Sequence, residues 1–133
     1  MTYSIAAATS HDASDWLMLR DKLWAADDHA REIEQYFSGQ LIELVEVLIA
    51  RDQAGYAVAH VELSIRHDLE ELEGVKTGYI EGLYVDPEHR RTGLVQRLLR
   101  ESERWASSVG CQAFASDRND RVIVHRRYVA PAV

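Results

Sequence analysis

Residues 79–95 read Tyr79-Ile80-Glu81-Gly82-Leu83-Tyr84-Val85-Asp86-Pro87-Glu88-His89-Arg90-Arg91-Thr92-Gly93-Leu94-Val95, and this stretch decides the fold. Its first seven residues alternate and are rich in β-branched and aromatic side chains, which predicts a strand over 79–85. Asp86-Pro87 breaks that strand. Beyond it, apolar residues recur at 94, 95, 98, 99, 105, 106 and 109 before Gly110, which predicts a helix over about 91–109. Arg90, Arg91 and the backbone N–H groups of residues 91–96 then meet at a helix N-terminus. Such a place attracts anions through its free donors and its dipole, and a glycine there lets backbone approach a phosphate. Two arginines at a helix start oppose the dipole unless an anion joins them.

The rest of the chain bounds this reading. Its 133 residues predict one domain over 1–133 with one core. The formal charge of −7 argues against nucleic acid as a partner; it is compatible with a small cationic substrate, but taken alone it reads as the charge that keeps a protein in solution. Four carboxylates crowd into Asp68-Leu69-Glu70-Glu71-Leu72-Glu73. No apolar run is long enough to span a bilayer and no N-terminal segment reads as a signal peptide, so a cytoplasmic location and no membrane partner are expected. Cys111 is the only cysteine, and the six histidines show no ligand spacing, so no metal is expected.

Working outward, the pattern predicts a weak strand over 2–8, helices over about 13–25 and 28–38, and strands at 44–51 and 56–66 around the turn Asp52-Gln53-Ala54-Gly55. The strand at 79–85, the long helix, and strands at 112–116 and 121–128 complete the order. This is an α+β succession. With the Arg-Arg-x-Gly loop between strand and helix, it resembles the GNAT N-acetyltransferase superfamily. Four further motifs are similar to one branch of it, the aminoglycoside 6'-N-acetyltransferases. These are Trp16-x-x-Leu19-Arg20-x-x-Leu23-Trp24, Ser64-Ile65-Arg66-His67-Asp68, Tyr79-Ile80-Glu81-Gly82, and Gly110-Cys111-x-x-x-Ala115-Ser116-Asp117.

The resemblance implies a mixed, mostly antiparallel sheet flanked by helices, with acetyl-CoA as cosubstrate. It implies that Leu83, Tyr84 and Val85 offer backbone to the pantetheine arm, and that Arg90, Arg91, Thr92, Gly93, Leu94, Val95 and Gln96 hold the pyrophosphate. It assigns Glu81 and Asp117 to catalysis and, with Trp24 and Asp120, to binding the substrate. Taken alone, Glu81 reads as a solvated strand residue, and Asp117 as a strand end or the start of an Asx turn. A carboxylate near the acyl end, directly or through water, accepts the proton of the attacking amine. Cys111 reads as core, so no covalent intermediate is expected.

Three departures stand out. Val95 replaces the small residue that closes the family's loop, and its side chain either crowds the phosphates or points into the core. Leu69 replaces an aromatic after Arg-His-Asp. After Asp117 the family carries a further helix, whereas here Arg121-Val122-Ile123-Val124-His125-Arg126-Arg127-Tyr128 resembles its final strand. Either that helix is missing, which shortens the C-terminal part of the fold, or residues 118–128 are its remnant; the β-branched run favours strand. The expected activity is 6'-N-acetylation of an aminoglycoside, in a homodimer paired through the C-terminal strand. The alternatives are acetylation of a polyamine or peptide N-terminus, or a shortened CoA-binding homologue with little turnover.

Overall fold

The computed structural model describes residues 2–118 and 121–127. In chain order these form β1 (Ser4–Ala7), α1 (Ala13–Leu23), α2 (His29–Phe37), β2 (Glu46–Arg51), β3 (Ala57–Arg66), β4 (Thr77–Val85), α3 (Leu94–Ser108), β5 (Ala113–Arg118) and β6 (Arg121–Arg127). One sheet holds the strands in the order β1-β2-β3-β4-β5-β6. All neighbours are antiparallel except β4 and β5, which are parallel and connected through α3. The architecture is α+β, as the sequence order predicts.

Local chemistry explains the elements. The β2–β3 turn closes on Asp52, whose carboxylate accepts from the N–H groups of Ala54 and Tyr56, both at 3.0 Å. One face of the sheet packs on α1 and α2 through Trp16, Leu19, Ile33, Val47 and Ile49. The other packs on α3 through Leu63, Ile80, Leu94, Leu98 and Phe114. Each fully buried side chain of this kind contributes about 1.5–3 kcal/mol. α3 lies hard against β4: a Cβ on Gly78 would stand 2.7 Å from that of Ala106.

Most strand ends shift by one or two residues from the sequence reading, and two helix boundaries differ in a way that bears on the site. α3 begins at Leu94, not near Arg91, because Arg91 (φ 59°) and Gly93 (φ 85°) both adopt left-handed backbone. α1 ends at Leu23, and Trp24 turns extended. The C-terminal run is strand, as the loss of a helix predicts: β5 and β6 pair from Ala113↔Arg127 to Arg118↔Arg121. Asn119 and Asp120 lie outside the described residues, as does Tyr128.

Candidate active site

The site begins with an irregularity in β4. Glu62 pairs with Gly82, but the next pair is Leu63 with Ile80. Glu81 is therefore the extra residue of a bulge, a device that re-aims a side chain. Its carboxylate accepts from Ser64 Oγ at 2.7 Å, Arg66 Nε at 2.8 Å and Arg66 Nη2 at 2.9 Å. Of the roughly four acceptor positions on a carboxylate, these occupy three and leave one on Oε2. The Arg66 guanidinium also lies 4.4 Å from the centre of the Tyr79 ring, so it is held on two sides.

The second element is a split in the sheet. β4 and β5 pair only from Thr77↔Ala113 to Ile80↔Ser116. Beyond that, β4 runs on to Val85 and β5 continues to Arg118 along β6, so residues 81–85 have no β5 partner. A slot of about 270 Å³ opens there, lined by the apolar Leu83, Val95 and Leu99 and by the polar Glu81, Ser116 and Asp117. Val95 also packs on the core beneath α3, which decides between its two orientations: the side chain leans inward and lines the slot. Asp117 is exposed. Its charge joins burial in pushing the Tyr79 hydroxyl upward, burial being the larger cause.

On the other side of Glu81 lies an open cleft of about 920 Å³. Trp24 borders it, 39 % exposed, with its ring tip over Gly82, where a Cβ would come within 2.5 Å. Five carboxylates line the cleft (Glu32, Glu43, Glu62, Asp68 and Glu81) against three guanidiniums, which favours a cation. Beneath it, Glu62 Oε2 accepts from Trp16 Nε1 at 3.1 Å and His60 Nε2 at 2.9 Å, and lies 3.6 Å from Arg20 Nε. An ionised carboxylate only accepts, so His60 carries its proton on Nε2. Arg20 in turn donates to Glu32 at 2.8 Å.

Burial alone would push the Glu62 carboxyl up. His60, Arg20 and Trp16 outweigh it and hold the group below the ordinary value. A depressed carboxylate contributes stability that is complete above its unfolded value, ~4.3, and is lost as pH falls through the folded one. The thermal midpoint is therefore expected to drop steeply below about pH 4. Glu62→Gln, which removes one partner of a buried pair, should lower stability at neutral pH by about 3–5 kcal/mol and flatten that acid limb. An unchanged limb, followed by thermal melts across pH, would contradict this.

The third element is the loop into α3. The first helical bond runs from Arg97 N–H to Gly93 C=O at 3.1 Å, so the N–H groups just ahead have no helical acceptor. With Arg91 and Gly93 left-handed around Thr92, the backbone has the form of an anion-binding nest. Among the described residues nothing stands within 4 Å of a Cβ built on Gly93, so there is room for a ligand to reach the backbone. Arg90 turns back, its Nε donating to the Val85 carbonyl at 3.0 Å. The loop and the unpaired stretch of β4 thus suit a pyrophosphate and an amide-bearing arm respectively. Cys111 is buried and its thiol pushed up by that burial, in keeping with a core role.

The structure brings Glu81 and Asp117 to one slot, together with Leu83 and Val95 of the expected cofactor-binding residues, and Trp24 to the adjoining cleft; Asp120 is outside the described residues. Sequence reasoning missed the grip of Ser64 and Arg66 on Glu81 and the buried His60–Glu62–Arg20 group. A signal was present: His60, Glu62, Ser64 and Arg66 alternate along one face of a buried strand, and buried polar side chains on alternate positions require partners.

Known proteins resemble this chain in sequence and in fold. The model of the acetyltransferase (GNAT) family matches residues 11–128. The chain is 38 % identical over 128 residues to an aminoglycoside N(6')-acetyltransferase type 1 of Acinetobacter haemolyticus, covering 92 % of this chain and 84 % of the relative. It is 35 % identical to that of Acinetobacter baumannii, covering 96 % and 88 %. Among solved structures, AAC(6')-Iy in complex with the bisubstrate analog CoA-S-monomethyl-acetylneamine superposes with a TM-score of 0.79 at 27 % identity, over 90 % of this chain and 81 % of that one. Apo AAC(6')-Ig from Acinetobacter haemolyticus gives 0.75 at 34 % identity, over 87 % and 79 %.

Proposed function

This chain belongs to the acetyltransferase (GNAT) family, and on that premise we propose that it transfers the acetyl group of acetyl-CoA to the 6'-amine of an aminoglycoside. The observation that carries the reading is Glu81, which borders both the acidic cleft and the slot between β4 and β5. An amine bound in the cleft and an acyl group in the slot would meet at this residue. Similarity to enzymes named for that acceptor supports the choice of substrate.

Acetyl-CoA supplies the acetyl group as a thioester open to direct attack by an amine. The residues of this chain would act around it. Within the loop over 90–96, the backbone N–H groups from residue 91 onward and Arg91 would hold the pyrophosphate, Arg90 being bound back to Pro87 and Val85. Residues 83–85 would pair with the pantetheine as a neighbouring strand does, and a β4 N–H would donate to the oxygen on which charge develops. Glu81, fixed by Arg66 and Ser64, would use its remaining Oε2 position for the ammonium and, directly or through a water, for its proton. Asp117 would draw in a second cationic group, and Trp24 would cover one face of the sugar.

The test is release of CoA thiol with aminoglycosides, polyamines and peptide N-termini as acceptors. Turnover with an aminoglycoside and none with the others supports the reading, whereas a preference for a polyamine or a peptide would replace the acceptor. CoA binding without turnover on any amine would leave a CoA-binding homologue. We also propose that β6, an edge strand with Val124 38 % exposed, pairs with a second copy, since an open edge is a template for another strand. Light scattering at micromolar concentration should give a dimer; a monomer would contradict the pairing.

A further inference from the structure

Tyr3 precedes β1 at the far edge of the sheet, yet its hydroxyl reaches the loop ahead of α3. It lies 2.9 Å from His89 Nδ1 and 3.4 Å from Thr92 Oγ1. The Tyr3 and His89 rings meet edge to face, 5.6 Å apart at 75°. Thr92 Oγ1 donates to the His89 carbonyl at 2.7 Å, and Arg97 Nη1 in α3 donates to the Tyr3 carbonyl at 3.0 Å. The Tyr3 ring is 5 % exposed and belongs to the core that includes Leu94 and Leu98.

His89 and Thr92 bracket the two arginines of the loop, and Arg91 holds a left-handed backbone that a non-glycine residue adopts at a cost. Such a conformation persists only where its surroundings over-determine it. Tyr3 provides that constraint from outside the loop. A phenol has one proton to donate and can also accept. Because Thr92 spends its own proton on the His89 carbonyl, Tyr3 holds both partners when it accepts from His89 Nδ1–H and donates to Thr92 Oγ1. We propose that Tyr3 is a positioning residue for acetyl-CoA: its hydroxyl holds residues 89–93 in the form in which the N–H groups from residue 91 onward face the pyrophosphate. The inference rests on the reading of that loop as the CoA site.

Tyr3→Phe keeps the ring in the core and deletes only the hydroxyl. Amide NMR titrations with CoA and with pantetheine, which lacks the nucleotide and pyrophosphate, separate positioning from general loosening. The CoA dissociation constant should rise roughly three- to ten-fold, the range of one net hydrogen bond, and that of pantetheine should stay within about two-fold. His89→Leu, which removes the shorter of the two Tyr3 contacts and leaves residues 90–96 unaltered, should give the same split, and it carries the test if Tyr3→Phe fails to fold. Unchanged CoA affinity in a folded variant, or equal weakening of both ligands, overturns the role of Tyr3 alone. Absence of CoA binding by the unaltered protein overturns the loop assignment and this inference with it.

Discussion

Replacing Glu81 by glutamine is expected to lower turnover by about two to four orders of magnitude, the usual share of a positioned acid–base group. Glutamine keeps the shape of the side chain, and its carbonyl can still accept from Ser64 Oγ and Arg66 Nε, although its NH2 then meets Arg66 Nη2 donor to donor. It loses the charge that attracts an ammonium and the basicity that takes its proton. The CoA dissociation constant should move little, because the loop over 90–96 and the β4 backbone are untouched. Steady-state kinetics together with calorimetry resolve the two. A variant that retains most of its turnover would remove Glu81 from the chemistry and leave it as a structural partner of Arg66. Arg66→Met is an informative companion. Unheld, Glu81 keeps its charge but loses its aim, so turnover should fall less than in Glu81→Gln.

The second large effect is expected at Gly93. Its φ of 85° lies where a side chain is strained, by about 1–2 kcal/mol, and the space around it is open. Gly93→Ala therefore tests conformation alone and should weaken CoA several-fold. Gly93→Asp adds a carboxylate where phosphate charge would sit, and should weaken it by roughly a hundred-fold or more, since each factor of ten corresponds to about 1.4 kcal/mol. Calorimetry reads the affinity and a thermal melt checks that both variants fold. Equal affinity in the aspartate variant would take the pyrophosphate away from this loop.

The order of strands and helices was legible because each element has its own local signature. The stripe from Leu94 to Val109, the Asp52–Gly55 turn and the β-branched run at 122–124 each specify structure within a few residues. The start of α3 was misread because apolar periodicity does not encode backbone handedness: Arg91 and Gly93 sit left-handed ahead of the first helical bond. The site was legible to the extent that it lies on continuous stretches, as residues 83–85 and 90–96 do. What pairs across strands was not. Ser64 and Arg66 meet Glu81 only because a bulge shifts the register by one residue, and no local pattern announces a bulge. Tyr3 and His89 are likewise brought together by the fold and not by spacing.

The short parallel seam between β4 and β5 has a consequence for how the molecule breathes. The β2–β3, β3–β4 and β5–β6 junctions are antiparallel between strands joined directly by turns and loops, so each can re-form locally after a fluctuation, whereas β1 meets β2 only across α1 and α2. The seam spans only Thr77–Ile80 against Ala113–Ser116, and its strands are linked through the whole of α3. Restoring it requires a long loop to close again, which is slower and entropically dearer. The β5–β6 hairpin is therefore the natural unit of partial opening, and the amides of Ala113–Ser116 should exchange with solvent ahead of those in β3. A ligand lying along the free edge of β4 and touching β5 would bridge that seam. Its binding energy would be felt as slower exchange in a hairpin most of whose residues it never contacts.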